Sequence, residues 1–232
     1  MTKYSMSFVI PMYNESDNIE NTLSRVSRLA REISDDYEII VSDDASTDAG
    51  ADIVAGIASK DPHVKLVRLS KNTKFGGALA AGLENVAKDV AIYTDSDLPV
   101  KDEDVKRGLS LLDRADVITG CSMVIKDMSL RRIVMSKGYN FLVQLFFGLS
   151  IKDINSGFKI YRAKVLKGLK LVSRSPFVDV EIFVEAKKRG FIIKQFGLIF
   201  DLRTHGVSTI SRFSVVARTF YDMLKYKLMG LR

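Results

Sequence analysis

The first half of the chain alternates between short apolar runs and longer segments with apolar residues at helical spacing. The apolar runs predict strands at residues 7–10, 37–41, 64–69, 90–93 and 117–119. Helical spacing predicts helices at residues 16–33, 48–58, 77–86 and 102–112. Strands that alternate with helices indicate an α/β protein with a largely parallel sheet and right-handed crossover connections.

The second half of the chain predicts fewer strands and more apolar helices. Residues 130–149 have a helical pattern that is rich in Phe and Leu, and residues 178–188 predict a further helix. Residues 158–161 predict a short strand, and residues 191–202 predict one long strand or two short ones. The apolar stretch at 141–149 is interrupted by Gln144 and is too short to cross a bilayer, so we expect a soluble or peripheral protein.

The tail combines apolar residues at helical spacing with basic ones. Its basic residues are Arg212, Arg218, Lys225 and Lys227. A basic amphipathic helix can lie at an anionic membrane interface, and it can equally pack on a protein core with a solvated cationic face. The pattern leaves both interpretations open. We expect one domain over residues 1–209, with residues 210–232 forming a basic amphipathic helix of that domain or of a membrane interface.

Two pairs of aspartates follow predicted strands directly. Asp95 and Asp97 come after the strand at 90–93, and Asp43-Asp44 ends the strand at 37–41. In an open α/β sheet, ligands bind at the carboxyl ends of the strands. Carboxylates two residues apart can share a hard cation such as Mg²⁺ or Mn²⁺, which can neutralise a diphosphate. A single D-x-D also fits a solvated turn, but a second acidic strand end favours a site if the two strands are neighbours.

Composition and charge narrow the classes of partner and cofactor. The net charge of +7 indicates an anionic partner: a nucleotide, a lipid phosphate, a membrane surface or a nucleic acid. The single cysteine, Cys121, excludes an internal disulfide, fits a reducing compartment and is expected to be a buried structural thiol. His63 and His205 have no partners at zinc-ligand spacing, so we expect no zinc site. The chain contains neither G-x-G-x-x-G after its first strand nor a P-loop, which argues against dehydrogenases and P-loop enzymes.

Three ordered motifs resemble the landmarks of family 2 glycosyltransferases with the GT-A fold. They are VIPMYNE at residues 9–15, DDASTD at 43–48 and DSDL at 95–98. Residues 72–82 resemble the Gly-rich segment of that family, and residues 132–140, 153–162 and 203–208 resemble its polyprenyl-phosphate branch, which includes the dolichol-phosphate mannose synthases. The resemblance covers almost the whole chain. It implies a Rossmann-like, mostly parallel sheet flanked by helices, with a C-terminal amphipathic helix.

The resemblance also implies a role for each matching residue. Nucleotide-sugar binding is implied for Pro11, Tyr13, Glu15, Asp43, Asp44 and Asp95; metal binding for Asp95 and Asp97; acceptor-phosphate binding for Arg132 and Ser136; and catalysis for Asp97, Arg132 and Arg203. The metal would be Mg²⁺ or Mn²⁺. Arg203 matches an arginine that faces the donor diphosphate, where a guanidinium fork suits phosphate geometry.

The sequence departs from the family pattern at several positions. Gly120-Cys121-Ser122 stands where relatives often have Gly-Ser-Arg, and Thr209 stands where many carry Lys. Both changes remove positive charge near the phosphates. Lys74 replaces a usual Gly in the Gly-rich segment, and Pro99 stands where some relatives have Gln.

The chemistry depends on the acceptor. A sugar hydroxyl loses a proton as it attacks and needs a general base, for which Asp179 and Glu181 are the candidates. A phosphate monoester is already anionic near neutrality and needs placement more than a base. Both carboxylates begin a predicted helix, where support of the helix dipole is the other interpretation.

The expected function is a metal-dependent inverting transfer of a hexose from GDP-mannose or a UDP-sugar to a polyprenyl or dolichyl phosphate. The alternatives are a transferase acting on a sugar hydroxyl and a catalytically silent nucleotide-sugar-binding module. Expected partners are the nucleotide sugar, the lipid phosphate and a peripheral membrane surface, with room for a membrane-protein partner and with no nucleic acid. The expected location is the cytoplasmic face of a membrane.

Overall fold

Seven strands form one sheet in the part of the chain that the structure describes. The structure is a computed structural model, and it describes residues 2–123, 130–199 and 213–229. The strands are β1 (Met6–Met12), β2 (Tyr37–Asp43), β3 (Val64–Arg68), β4 (Val90–Thr94), β5 (Val117–Ser122), β6 (Phe158–Arg162) and β7 (Ile193–Leu198). Their order across the sheet is β3-β2-β1-β4-β6-β5-β7.

The sheet is parallel except for one strand, which confirms the expectation of a mostly parallel sheet. β1 pairs in parallel with both β2 and β4, β2 with β3, and β5 with β7. β6 runs antiparallel to β4 and to β5. Because β6 is reversed, its amino end lies at the same edge of the sheet as the carboxyl ends of the other strands.

Eight helices flank the sheet within the described ranges. They are α1 (Ile19–Ile33), α2 (Gly50–Ala58), α3 (Lys74–Glu84), α4 (Asp102–Ser110), α5 (Leu130–Phe147), α6 (Ala163–Leu166), α7 (Val178–Lys188) and α8 (Phe213–Met229). A 3-10 turn at Leu111–Arg114 follows α4. Hydrophobic residues of each strand alternate between two core clusters, one with α1, α2 and α4 and the other with α3, α5, α7 and α8. The architecture therefore has three layers, helices–sheet–helices.

Several predicted boundaries are wrong, each for a local reason. α3 begins three residues earlier than predicted, because Gly76 packs its backbone against the 173–175 segment and donates a hydrogen bond to the carbonyl of Arg174 at 2.9 Å. α5 ends at Phe147, because Gly148 adopts a φ of +65° and closes the helix with a bond to Gln144. The strand predicted at 191–202 is shorter, and residues 200–202 lie outside the described residues.

The C-terminal helix packs on the core through one face only. Phe220, Met223 and Tyr226 of α8 join the core cluster that contains α5 and α7. The Asp222 carboxylate is buried and accepts hydrogen bonds from the backbone amides of Arg174 and Ser175. The interpretation as a packed terminal helix is thus correct for this face, while the opposite face is exposed. Within the described ranges, no helix has the length and apolar character needed to cross a membrane.

The order of the strands reverses next to β1. From β1 the chain moves outward to β2 and β3, and then returns to place β4 on the other side of β1. In open α/β sheets, such a reversal opens a crevice between the loops that leave the two central strands. The loops after β1 and β4 therefore bound the natural ligand crevice of this fold.

A buried ion pair joins β6 to α7. Lys159 Nζ lies 3.1 Å from Asp179 Oδ2 and donates to the carbonyl of Ser156 at 2.6 Å. Both side chains are buried, and burial raises the pKa of Asp179 to about 6, although Lys159 acts to lower it. Asp179 does lie in the first turn of α7, as predicted, but its carboxylate is buried against Lys159, because this face of α7 packs into the core.

Removal of Lys159 should leave the Asp179 carboxylate buried without its partner and so destabilise the fold. Lys159→Met should destabilise the fold by about 3–5 kcal/mol at neutral pH, because an uncompensated charge stays buried. Without Lys159, the folded-state pKa of Asp179 rises further above its unfolded value. A carboxyl group whose pKa is higher in the folded state than in the unfolded state stabilises the fold most below its unfolded-state pKa. This contribution to the free energy of unfolding is lost as the pH rises through the folded-state pKa. The deficit relative to wild type should therefore grow as pH rises from about 5 to about 8.

Urea unfolding of both proteins at the two pH values measures this difference. Lys167→Met is the matched control, because Lys167 is exposed, and it should change stability by less than about 0.5 kcal/mol. A deficit that is the same at both pH values would contradict the assignment of Asp179 as the uncompensated charge.

Candidate active site

The turn after β4 presents two aspartates at the crevice. The amide of Leu98 donates to the carbonyl of Asp95 at 3.0 Å and closes the turn. Thr22 of α1 fixes the middle of the turn, since its hydroxyl donates to the carbonyl of Ser96 at 2.6 Å. Asp95 and Asp97 are half-buried, so each is held by the protein and still partly accessible.

The Asp95 carboxylate is held from two sides. The Tyr93 hydroxyl donates to Asp95 Oδ1 at 2.6 Å. Gly157, just before β6, lies so close that a Cβ added there would be 2.4 Å from Asp95 Oδ2. Glycine at this position is what allows the carboxylate to occupy its place.

Backbone strain is concentrated in the same loops. Within the described ranges, the non-glycine residues with positive φ are Asn14, Ala45, Lys74 and Leu98. They follow β1, β2, β3 and β4, one in each loop at the carboxyl edge of the sheet. Strained residues of this kind cluster at functional sites, where the surrounding structure holds them. The φ of +67° at Lys74 also explains why a glycine suits this position in relatives.

The loop after β1 carries Pro11, Tyr13 and Glu15. Pro11 pairs only with β2, because the pairing of β1 with β4 ends at Val9, so the missing amide of proline costs no ladder bond on that side. Tyr13 is 47% exposed at the crevice, and Glu15 is half-buried, with its carboxylate accepting from the Asn18 side chain at 2.8 Å. The structure thus places the accessible ring of Tyr13 beside the point where the strand order reverses.

The aspartates after β2 are more enclosed than the sequence suggested. Asp43 is fully buried, accepts the amide of Ser46 at 3.1 Å and lies 3.4 Å from Arg68 Nε. Asp44 accepts both the amide and the hydroxyl of Thr73, at 2.5 and 2.8 Å, which ties β2 to the Gly-rich segment. Burial raises the pKa of Asp44, although the bonds from Thr73 act in the opposite direction.

The two acidic strand ends are not on neighbouring strands. β1 separates β2 from β4, so the loop that carries Tyr13 lies between the two aspartate pairs. The sequence expectation that these two strands are neighbours is therefore wrong, because β1 lies between them. The floor of the crevice is the end of β1, and the carboxylates lie on either side.

The predicted acceptor residues lie partly outside the described part of the chain. Ser136 is exposed on α5. Arg132 belongs to the first turn of the same helix, but its side chain is outside the described residues, as is Arg203. Residues four apart on a helix share a face, so the backbone places positions 132 and 136 together. The roles of these residues stay predictions.

Asp95 and Asp97 offer two carboxylates to a divalent cation at the crevice. Among residues 2–123, 130–199 and 213–229, no three or more Asp, Glu, His or Cys side chains gather at one point to form a metal cage. Mg²⁺ typically takes one or two carboxylates together with substrate phosphates and water. Two half-buried carboxylates beside an open crevice fit that pattern, with oxygen ligands suited to Mg²⁺ or Mn²⁺.

The candidate bases are buried, and the single thiol lies near the end of β5. Asp179 and Glu181 are each 1% exposed; Asp179 pairs with Lys159, and Glu181 accepts the amides of Val172 and Ser173. Cys121 is half-buried rather than buried, because it lies near the end of β5. Burial raises the pKa of its thiol, which disfavours the reactive thiolate.

The sequence motifs assigned no role to Tyr93, Gly157 or Lys159, although Gly157 and Lys159 lie within the motif at residues 153–162. A signal existed for Tyr93, because residues two apart on a strand point to the same face and Tyr93 precedes Asp95 by two. Lys159 was also detectable, as a charge inside the apolar strand β6. Nothing in the sequence indicated that Gly157 would meet Asp95, since that contact depends on the reversed direction of β6.

A separate pocket of about 330 Å³ is lined by one residue named in the sequence analysis, the candidate base Glu181, and by none of the residues assigned to the donor, the metal or the acceptor phosphate. Its lining includes Lys170, Glu181, Glu185, Arg189 and Tyr226, which belong mainly to α7, α8 and the preceding loop. Polar groups of this lining are engaged within the protein, since Glu185 accepts from the Tyr226 hydroxyl and pairs with Lys188, and Arg189 donates to the carbonyl of Val165. The crevice beside β1 and β4 therefore remains the candidate site.

Comparison with known proteins assigns the chain to a family. The family model described as "Glycosyl transferase family 2" matches residues 7–169, which is most of the chain and includes both aspartate pairs. The chain belongs to glycosyl transferase family 2, and it is a glycosyltransferase. The family recognised in the sequence motifs is thereby confirmed.

Curated relatives carry names from the polyprenyl-phosphate branch. An undecaprenyl-phosphate 4-deoxy-4-formamido-L-arabinose transferase of Pectobacterium atrosepticum is 29% identical over 252 aligned residues, covering 98% of this chain and 76% of that protein. The protein of the same name from Yersinia enterocolitica is 28% identical over 217 residues, covering 86% of this chain and 66% of that protein. The resemblance to this branch is thus confirmed, and the chain spans two thirds to three quarters of those relatives.

Solved structures confirm the GT-A fold. Glucosyl-3-phosphoglycerate synthase from Mycobacterium tuberculosis, crystallised with Mn²⁺, UDP and glucosyl-3-phosphoglycerate, superposes with a TM-score of 0.71 at 19% identity. The match covers 97% of this chain and 80% of that one. At this identity the likeness concerns the fold alone.

Proposed function

We propose that the protein is a metal-dependent, inverting glycosyltransferase that moves a hexose from a nucleotide sugar to a polyprenyl phosphate. The observation that carries this proposal is the position of Asp95 and Asp97 at the strand reversal, in a chain of family 2. The names of the curated relatives support the lipid acceptor. GDP-mannose and UDP-sugars are both candidate donors, and dolichyl phosphate is one candidate among polyprenyl phosphates.

The donor would lie across the end of β1. Tyr13 is exposed there and offers a ring for the nucleoside, while the carboxylates of Asp95 and Asp97 face the position of the diphosphate. These two side chains would hold Mg²⁺ or Mn²⁺, which when bound neutralises charge on the departing nucleoside diphosphate. Asp43 and Asp44 support the pocket from beneath, since both are engaged with the loops that form its wall.

The burial of Asp179 and Glu181 favours a phosphate acceptor over a sugar hydroxyl. A hydroxyl nucleophile needs a base within hydrogen-bond reach of its proton. Asp179 and Glu181 are each 1% exposed; Asp179 pairs with Lys159, and Glu181 accepts two backbone amides, so neither candidate offers an exposed carboxylate to a hydroxyl in the crevice. A phosphate monoester is largely deprotonated near neutrality and needs only to be placed for in-line attack.

The acceptor phosphate would be placed by the first turns of α5. Arg132 and Ser136 share a face of that helix, and Ser136 is exposed. An arginine can bind two phosphate oxygens at once and so fix the direction of attack. Arg203 would stabilise the donor diphosphate in the same step.

Two adjacent helices offer a surface for the membrane that holds the lipid. α5 and α8 pack side by side through the ring pairs Tyr139–Phe220 and Phe147–Tyr226. Their outer faces expose large apolar side chains, each more than half accessible: Phe141 and Leu145 of α5 and Tyr221, Leu224 and Leu228 of α8. We call these five residues the apolar face.

Basic residues flank the apolar face. Arg218 and Lys225 are exposed on α8, and Arg218 keeps its guanidinium beside the Tyr221 ring. Apolar residues bordered by cations suit the headgroup region of an anionic membrane. The protein would bind there peripherally, at the cytoplasmic face, in agreement with a chain whose single cysteine can form no internal disulfide.

Loss of one metal ligand should abolish metal-dependent donor binding. Asp97→Asn replaces a carboxylate by an amide and removes one of the two charges that hold the cation. Calorimetry with GDP and with UDP, each with and without Mn²⁺, should show loss of the Mn²⁺-dependent gain in affinity. Asp35→Asn, at the opposite edge of the sheet, should behave as wild type. Undiminished Mn²⁺-dependent binding by Asp97→Asn would remove the metal assignment.

Arg132 separates the two acceptor classes. Arg132→Ala should lower kcat/KM for polyprenyl phosphate by about ten- to a hundredfold, because a charge-assisted bond is usually worth about 1.5–3 kcal/mol. Affinity for the nucleoside diphosphate should change little. Arg114→Ala, which removes an exposed arginine from the 3-10 turn, is the charge control. Unchanged turnover by Arg132→Ala would count against the lipid-phosphate acceptor.

Membrane binding should depend on the apolar face. The double variant Leu224→Glu, Leu228→Glu should bind vesicles of phosphatidylglycerol and phosphatidylcholine much more weakly in flotation, because both side chains are exposed and would meet the headgroups. Ile192→Glu is the matched control, since Ile192 is 55% exposed at the opposite edge of the sheet. If wild type and the double variant float equally, or neither floats at low salt, the membrane assignment is wrong.

A further inference from the structure

Asp95 is oriented by groups that belong to neither substrate. Tyr93 is the penultimate residue of β4, and Asp95 follows the strand directly, two residues further along the chain. This spacing brings the phenol hydroxyl of Tyr93 to Asp95 Oδ1 at 2.6 Å. The bond occupies one carboxylate oxygen and fixes the rotation of the carboxylate about its own axis.

The Tyr93 ring is itself held firmly. Lys159 stands directly opposite Tyr93 in the β4–β6 register, and its ammonium lies 4.9 Å from the ring centroid. Phe75 of α3 meets the ring edge-on at a centroid distance of 6.2 Å. Tyr93 is only 2% exposed, so its hydroxyl has no alternative position in solvent.

A second contact acts on the other carboxylate oxygen. Asp95 Oδ2 faces Gly157, and the Asp95 amide donates to the Gly157 carbonyl at 3.3 Å. Tyr93 therefore approaches one oxygen while the backbone at Gly157 borders the other. Together they leave the carboxylate one orientation before any ligand arrives.

We propose that Tyr93 is a positioning residue that presets the Asp95 carboxylate for the divalent cation of the donor complex, with Gly157 as its counterpart on β6. The proposal rests on the proposed function, since it assumes a cation at Asp95. A preset ligand loses no rotational freedom when the cation binds, and groups that orient metal ligands typically contribute ten- to a hundredfold to metal affinity.

The proposal is tested by measuring the affinity of the protein for Mn²⁺, which requires no glycosyl transfer. Mn²⁺ is titrated into the protein in the presence of GDP and, separately, of UDP, and free Mn²⁺ is followed by electron paramagnetic resonance. Tyr93→Phe keeps the ring and its contacts with Lys159 and Phe75 but removes the hydroxyl. It should weaken Mn²⁺ binding about tenfold. Nucleotide affinity at saturating Mn²⁺ should return to the wild-type value, because both metal ligands remain.

Tyr161→Phe is the matched control, because it also removes a buried hydroxyl but one that does not contact Asp95. Tyr161 is fully buried on β6, and its hydroxyl makes no hydrogen bond to any residue that the structure describes. Tyr161→Phe should bind Mn²⁺ as wild type does. Gly157→Ala provides a second route to the same effect, because its methyl group would force Asp95 to move. Thermal unfolding establishes that each variant is folded.

The outcomes distinguish this proposal from the metal assignment itself. Wild-type Mn²⁺ affinity in folded Tyr93→Phe and Gly157→Ala, with defective binding by Asp95→Asn, would overturn positioning and leave the metal site standing. An equal loss in Tyr93→Phe and Tyr161→Phe would also overturn it. Normal Mn²⁺-dependent binding by Asp95→Asn would defeat the metal site and the positioning role together.

Discussion

The parallel pairing of β1 with β2 on one side and β4 on the other is the constraint on which the site depends. It places the carboxyl ends of all three strands at one edge, with the order of the strands reversing between β1 and β4. Every predicted donor residue in the described part of the chain leaves the sheet at that edge. The loops there are strained and bonded to one another, as Asp44 to Thr73 and Asn14 to Ser46.

The reversed strand completes this arrangement from the other half of the chain. Because β6 is antiparallel, its first residues meet the end of β4 and bring Gly157 to Asp95. Its lysine then faces Tyr93 and pairs with Asp179 on α7. Charges that are expensive to bury alone are thereby placed where each compensates another. In this arrangement Asp179 is only 1% exposed.

Local sequence patterns predicted the helices and strands and most of the residues proposed to bind the donor. The neighbours of those residues depend on contacts across the sheet. Apolar runs followed by Asp43 and Asp95 were visible because strands and their polar ends are local features. The register of β6 against β4 is not local, so the neighbours of Asp95 could not be read from the sequence. The same holds for Asp43, which is completely buried and lies beside Arg68 of the neighbouring strand β3, a pairing between segments that are distant in the sequence. For Arg132 and Arg203, sequence resemblance remains the source of their assignments.

The late position of β6 in the chain affects when Asp95 is fixed during synthesis of the protein. Both aspartate pairs lie within the first 100 residues, whereas Gly157 and Lys159 follow much later in the chain. A nascent chain released as far as β4 therefore contains the donor motifs without the strand that fixes Asp95. Chains emerge from the ribosome amino end first, and pairings with distant segments wait for those segments. The fixed orientation of the Asp95 carboxylate is accordingly a late product of folding, since it requires that the segment with Gly157 has docked.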